Sequence, residues 1–202
     1  MEKHPFDKYR KEVKFLAPLS DFARVENQLH KLKFIEQYKP RLVHSIYFDT
    51  HLDDFLADSM DGFSERQKIR IRFYNKGEGL RLEKKIKSDQ FGKKEIIPLD
   101  ISKEKLLQVG ALEEIVINHS HLVVRMTARV SYWRKYYYSK EGNVRITLDS
   151  ALQTEEMIFG RKRNLQNQFL TEIKCGSKQS IYLKLNLMPQ RFSKYSFARF
   201  AN

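Results

Sequence analysis

Nine residues constrain the fold of this chain more than any others: Arg66-Gln67-Lys68-Ile69-Arg70-Ile71-Arg72-Phe73-Tyr74. Taken two at a time, they put Arg66, Lys68, Arg70, Arg72 and Tyr74 on one side and Gln67, Ile69, Ile71 and Phe73 on the other. That period belongs to a β-strand with one apolar and one basic face. Same-face neighbours on a strand stand roughly 6–7 Å apart. A row of cations so close repels itself unless an anion lies along it. A solvated basic face would account for one such strand, but the pattern recurs.

Tyr9–Leu16 sets Arg10, Glu12 and Lys14 against Lys11, Val13 and Phe15. Leu80–Lys87 sets Arg81, Glu83, Lys85 and Lys87 against Leu80, Leu82 and Ile86, after a Gly-rich hairpin at Asn75–Gly79. Further strands are expected at Leu42–Asp49, Gly92–Ile97, Met126–Tyr138, Val144–Asp149 and Gln168–Lys174. Phe22, Val25, Leu29 and Leu32 recur at helical spacing behind Ser20, a plausible N-cap, and Pro40 closes that helical element. Thr50–Phe63 reads as a loop or short helix stopped by Asp61-Gly62. Ser102–Val109, Ala111–Ile117 and Ser180–Met188 read as helices, and Phe159–Asn167 as a basic loop. His44 falls on an apolar strand face and is expected to be structural.

A polar face on nearly every strand is the reverse of a small barrel with an apolar interior. The pattern fits a mainly antiparallel β (α+β) domain spanning residues 1–202. Its expected form is a barrel of about eight strands with a polar, basic lumen and peripheral helices. Burying many cations is prohibitive unless they are paired or bind an anion. The acids Glu12, Glu83, Glu95, Asp149 and Glu172 neutralise some of them or hold a divalent metal. A net charge of +13 over 202 residues points the same way, toward a polyanionic partner. The single cysteine, Cys175, excludes an intramolecular disulfide and is expected to be a small buried hydrophobe. The start of the chain has no signal-peptide pattern, and no run approaches the ~18 apolar residues of a membrane span. A cytoplasmic location is the expectation.

Several segments, in order, resemble the VTC (vacuolar transporter chaperone) domain, a polyphosphate polymerase domain of the triphosphate tunnel metalloenzyme superfamily. They are Arg10-Lys11-Glu12-Val13-Lys14-Phe15, Ser45-Ile46-Tyr47-Phe48-Asp49-Thr50, Lys68–Tyr74 and Leu82-Glu83-Lys84-Lys85. Tyr132-Trp133-Arg134, Val144–Asp149, Thr171-Glu172-Ile173-Lys174 and Phe192-Ser193-Lys194-Tyr195 complete the series. The resemblance implies a tunnel holding a nucleoside triphosphate with Mn2+ or Mg2+, and growth of polyphosphate from ATP. Carried over position by position, it assigns catalytic phosphate contacts to Lys14, Arg70, Arg72, Lys85 and Lys194. It assigns substrate binding to Arg10, Lys93, Arg134 and Arg145, and the metal to Glu172. Lys94 is the rival to Lys93, on the opposite strand face. Arg10 stands where the hydrolytic branch has a glutamate, which argues against simple triphosphatase chemistry. Glu95 stands where a basic residue is usual.

ATP, triphosphate or polyphosphate are the expected partners. No inositol-phosphate-sensing domain is expected in cis, and association with a membrane protein stays open. The leading function is metal-dependent phosphoryl transfer. Triphosphate or nucleoside-triphosphate hydrolysis and a non-catalytic binding module are the alternatives. Nucleic-acid binding is not expected, because the cations alternate with aliphatic residues on too many strands.

Overall fold

The computed structural model describes residues 10–88, 91–101, 108, 110–139, 144–176 and 185–200. Its strands are β1 (Arg10–Pro18), β2 (Ile35–Asp49), β3 (Arg66–Tyr74), β4 (Glu78–Ser88) and β5 (Phe91–Pro98). They continue with β6 (Arg125–Ser139), β7 (Val144–Glu156), β8 (Lys162–Leu165) and β9 (Gln168–Gly176). The helices are α1 (Phe22–Lys31), α2 (Asp54–Asp61), α3 (Ala111–Ser120) and α4 (Lys194–Arg199). The strands form one mainly antiparallel sheet in the order β1-β9-β7-β6-β2-β3-β4-β5, with β8 beside β7. Among the described residues that path has two ends, β1 and β5, so the closed barrel ring expected from the alternation is not what the hydrogen-bond order gives. The ninth strand is β8, which replaces part of the expected loop at Phe159–Asn167.

The chain divides into two compact units, and each has its own core. The first comprises residues 1–42, 132–153 and 164–193. Here β1 pairs with β9 so that Lys14 faces Glu172 and Glu12 faces Lys174, and β9 pairs with β7 so that Glu172 faces Thr147. The opposite face of these strands is apolar. Phe15, Ile146, Leu148, Phe169 and Ile173 are buried there with Val25 and Leu29 of α1. Cys175 lies in the same core at 1% exposure, as a small hydrophobe. The 3.6-residue spacing of Phe22, Val25 and Leu29 is what lets α1 cover this face.

The second unit comprises residues 43–131, 154–163 and 194–202. The β2–β3–β4 ladder places Tyr47 opposite Arg70 and Arg70 opposite Glu83, and Ser45 opposite Arg72 and Arg72 opposite Arg81. Phe48, Ile69, Ile71 and Leu82 point the other way, into a core with Phe55 of α2 and Leu112, Ile115 and Val116 of α3. His44 stacks on Phe73 at 4.8 Å, the structural role expected of it. Thus period-two alternation has the same consequence in both units, an apolar face covered by helices and a charged face opposite to it.

Some boundaries differ from the sequence reading. Ser20 does not cap α1: it sits in a short 3-10 turn, Leu19–Asp21, and Asp21 precedes the helix. Pro40 does not close a helical element but lies inside β2, which starts at Ile35. Pairing of β2 with β3 begins only at Val43, so the missing N–H of Pro40 removes no bond from that ladder. Lys194–Arg199, for which the sequence reading expects no regular element, forms α4. The helix expected at Ser102–Val109 and the start of the one at Ser180–Met188 lie outside the described residues. No helix among the described residues is long and apolar enough to cross a membrane.

In the second unit, Asp49 fixes where α2 begins. Its carboxylate accepts the backbone N–H groups of Thr50 at 2.8 Å and of Phe55 and Leu56 at 2.9 Å. The last two belong to the first turn of α2, where N–H groups lack full helical partners and negative charge is favoured. Gly62, at φ 77°, takes the left-handed position that ends α2. The Tyr195 hydroxyl of α4 donates to the same carboxylate at 2.6 Å, so Asp49 ties two helices to β2. Tyr195→Phe removes that donor from a buried carboxylate. The expected cost is about 1.5–3 kcal/mol, the range for hydrogen bonds to charged groups. Urea denaturation measures it; a stability within error of wild type would mean that Asp49 does not hold α4.

Candidate functional site

On the polar face of the second unit, four cations converge on one carboxylate. The Glu83 side chain is 1% exposed. Its Oε2 accepts Arg70 Nη2 at 2.5 Å and Nε at 2.7 Å, and lies 3.7 Å from Arg72 Nη1. Its Oε1 accepts Arg81 Nε at 2.8 Å and Lys94 Nζ at 3.0 Å. Burial pushes Glu83 upward, but the charges of Arg70, Arg72 and Lys94 and the hydrogen bond from Arg81 win, and hold it far below the ordinary carboxylate range. Arg72 also donates twice to the Oγ of buried Ser45, at 3.1 Å each. By register, Lys68 and Lys85 pair across the same face, and Lys85 stands opposite Lys94 on β5.

Tyr47 completes this cluster. Its hydroxyl accepts Arg70 Nη1 at 3.1 Å, and its ring stacks on Tyr195 at 5.0 Å between centroids. Burial alone would raise the phenol; the charges of Arg70, Arg72 and Lys194 and the hydrogen bond from Arg70 overcome it and bring it down to about 8. Lys194, the first residue of α4, is therefore within electrostatic reach of the Arg70 group. Lys94 is also lowered to about 8, by burial first and by the like charges of Arg70 and Arg72, against the pull of Glu83.

The polar face of the first unit carries a second cluster. Arg134 is clamped by both oxygens of Asp149, Nε at 2.6 Å and Nη2 at 2.7 Å. Glu172 lies 3.9 Å from Arg134 Nη2 and 2.8 Å from Lys174 Nζ. Lys14 pairs with Glu12 at 3.2 Å and donates to the Phe192 carbonyl at 3.1 Å. Arg145 is exposed and stands opposite Lys174. Burial works against the charge on Arg134, but Asp149, Tyr132 and Glu172 more than compensate and keep it protonated.

The sequence-derived set thus falls into two groups. Arg70, Arg72, Lys85 and Lys194 belong to the second unit, and Lys14, Arg134, Arg145 and Glu172 to the first. Lys93 is a correction. It pairs with Glu95 at 2.6 Å, its side chain is 73% exposed, and Lys94 is the lysine that reaches Glu83. Alternation along β5 forces the choice, because Lys94 shares the face of Glu83 while Lys93 and Glu95 share the other. Arg10 starts β1 opposite Gly176, and its side chain lies outside the described residues. The sequence reading passed over Tyr47, Ser45 and Arg81. Arg81 was already on the charged face of its strand, and the Asn75–Gly79 hairpin would have set it beside Arg72.

Among the described residues no three His, Cys, Asp or Glu side chains gather into a metal cage. Mg2+ and Mn2+ do not need one, since they favour hard oxygens and are commonly held by one or two carboxylates plus substrate phosphates. Glu172 offers such a carboxylate. Across the β7–β9 ladder from it, the buried Thr147 Oγ1 has no hydrogen-bond partner among the described residues. An unsatisfied oxygen next to a carboxylate suits a hydrated cation, so the residues present fit the group. Asp149 fits less well, because Arg134 occupies both its oxygens.

The VTC domain family matches residues 9–200. Among solved structures, the PH1819 protein from Pyrococcus horikoshii OT3 is 18% identical, with a TM-score of 0.54 over 93% of this chain and 94% of that one. An adenylate cyclase candidate from Vibrio parahaemolyticus is 10% identical, with a TM-score of 0.56 over 92% and 95%. Another from Bacillus halodurans is 15% identical, with a TM-score of 0.53 over 94% and 97%. At such identities the likeness is one of fold. No curated protein matches the chain. With the family match spanning nearly its full length, the chain belongs to the VTC domain family.

Proposed function

We propose that residues 1–202 form a single domain for metal-dependent phosphoryl transfer from a triphosphate, and that its reaction is polyphosphate synthesis from ATP. The observation that carries the reading is the convergence of Arg70, Arg72, Arg81 and Lys94 on the one buried carboxylate of Glu83. Such an array is rigid before any ligand arrives, and it presents guanidinium forks suited to phosphate oxygens. Phosphoryl transfer demands little more than positioning and neutralisation of charge. The tunnel-type site implied by family membership belongs to this reading.

In the second unit, Arg70 and Arg72 hold phosphate oxygens, with Lys85 and Lys194 neutralising charge. In the first, Lys14, Arg134 and Arg145 bind phosphate, and Glu172 holds Mn2+ or Mg2+. When bound, the metal supplies Lewis-acid neutralisation of adjacent phosphate oxygens. A phosphate chain end is already ionised at neutral pH, so the acceptor needs no general base. Incubation with ATP and Mn2+ tests the reaction: polymer supports the reading, free phosphate alone points to a hydrolase, and intact ATP to a binding module.

Glu172→Gln is expected to abolish metal-dependent turnover while triphosphate binding stays detectable by calorimetry. Full turnover at saturating Mn2+ would reduce Glu172 to an ion-pair partner of Lys174.

Arg70→Ala and Arg72→Ala are each expected to weaken triphosphate binding about tenfold to a hundredfold, the equivalent of roughly 1.5–3 kcal/mol for a charge-assisted bond. That loss should persist at high salt. Arg161→Ala, on an exposed side chain, should cost little once salt is raised. Arg163 is a poorer control, because its guanidinium also binds the Phe197 carbonyl at 3.2 Å. Equal, salt-erased losses at Arg70, Arg72 and Arg161 would mean a diffuse surface field.

Triphosphate affinity is also expected to fall as pH rises through about 8. Tyr47 gains a negative charge there and Lys94 loses a positive one, so both changes act against an anion. Tyr47→Phe should keep only the Lys94 part of the decline. An identical profile in wild type and Tyr47→Phe would exclude the phenol from the cluster's titration.

A further inference from the structure

The first unit carries an aromatic group beside Arg134 that phosphate binding does not use. Tyr136 follows Arg134 on the same face of β6, and the Arg134 guanidinium carbon lies 5.9 Å from its ring centroid. Tyr38 of β2 meets Tyr136 edge-on, with centroids 5.4 Å apart and planes at 87°. Arg41 reaches over both rings, 4.6 Å from the Tyr38 centroid and 5.9 Å from that of Tyr136. The result is a run from a carboxylate-clamped guanidinium, through a half-buried ring, to an outer ring held by a second guanidinium.

We infer that Tyr38, Tyr136 and Arg41 form a stacking subsite for the base of a nucleoside triphosphate. The inference rests on the reading that the Arg134 cluster takes phosphate, and it adds what distinguishes one triphosphate from another. Tyr38 keeps 46% of its surface exposed, whereas Tyr132, also beside Arg134, keeps 1%. Tyr38 is thus the ring in this group with an open surface. Its orientation is fixed by a perpendicular ring and a guanidinium, so a flat ligand would stack on it without first ordering it. Aromatic rings and Arg planes both stack well on bases. Such stacking tolerates any base, because every base has a π-face. Inorganic triphosphate has no ring and gains nothing here. The subsite therefore favours nucleotides as a class and discriminates little between bases.

Calorimetric titration of ATP and of inorganic triphosphate, both with Mg2+, into wild type, Tyr38→Ala and Tyr38→Trp tests this. Tyr38→Ala should weaken ATP about five- to a hundredfold, the range for loss of one base–aromatic stack. It should leave triphosphate unchanged, and Tyr38→Trp should restore ATP. Unchanged ATP affinity in Tyr38→Ala would overturn the subsite, and so would an equal loss for both ligands, which marks a structural role. A wild-type protein that binds neither ligand would instead overturn the phosphate reading, and the subsite with it.

Discussion

The second unit's polar face depends on the burial of one carboxylate. A glutamate alone at 1% side-chain exposure in β4 would be untenable as an anion. Equally, Arg70, Arg72 and Arg81 packed across adjacent strands would repel one another without it. Each side of the cluster makes the other possible, and the ladder register that sets Arg70 against Glu83 and Arg72 against Arg81 makes the meeting obligatory. Buried ion clusters are poor evidence for stability, because desolvation consumes much of their attraction. What they secure is arrangement. Here the arrangement fixes guanidinium forks in place, and Ser45 further pins Arg72 from the neighbouring strand.

Asp49 plays a related part in the same unit, held by hydrogen bonds. Burial pushes its carboxyl above the ordinary value, opposed by hydrogen bonds from Tyr195, Phe55, Thr50 and Leu56. Those donors belong to the start of α2 and to α4, so the position of α4 follows from the end of β2. Lys194 opens α4, and the Tyr195 ring stacks on Tyr47 next to Arg70. Arg199 at the other end of α4 binds Glu156 at 2.7 Å and also Asp53. A six-residue helix has little stability of its own. Its place is set by these side chains, and through it the place of Lys194.

Most strands were legible because their alternation is strict: Arg70 and Ile71 have no common face, and each must choose a side. The same rule fails where two neighbours are alike. Lys93 and Lys94 differ only in parity, and parity depends on the β4–β5 register, which a turn across Ser88–Gly92 does not reveal in sequence. Pro40 misled for another reason, since a proline ends a helix yet is tolerated on a strand segment that lies outside the β2–β3 ladder. Tyr47 shares its strand face with Ser45 and Asp49, but a phenol carries no formal charge to mark it in sequence as part of a cationic group. Only the cross-strand position opposite Arg70 shows that its hydroxyl belongs to the charged group. Ring closure could not be read at all, because alternation along a strand says nothing about which strands are neighbours.

The two carboxylates facing Arg134 show why position decides chemistry when residue type does not. Asp149 gives both oxygens to Arg134 in a two-bond clamp, with side-chain exposures of 1% and 12%. Taking a metal would mean breaking a buried bidentate pair and stranding the guanidinium, which is costly. Glu172 lies 3.9 Å from the same guanidinium, and its shorter pairing is with Lys174, whose side chain is 41% exposed. A lysine so placed returns to water at little cost, since partly exposed ion pairs contribute weakly. Exchanging Lys174 for a divalent cation leaves the Arg134–Asp149 clamp untouched, so the scaffold survives ligand exchange. The difference between the two acids follows from their places on β7 and β9. Those places put Asp149 within the guanidinium's grip, and Glu172 opposite Thr147, whose hydroxyl has no partner among the described residues, with Lys174 as its ion-pair partner.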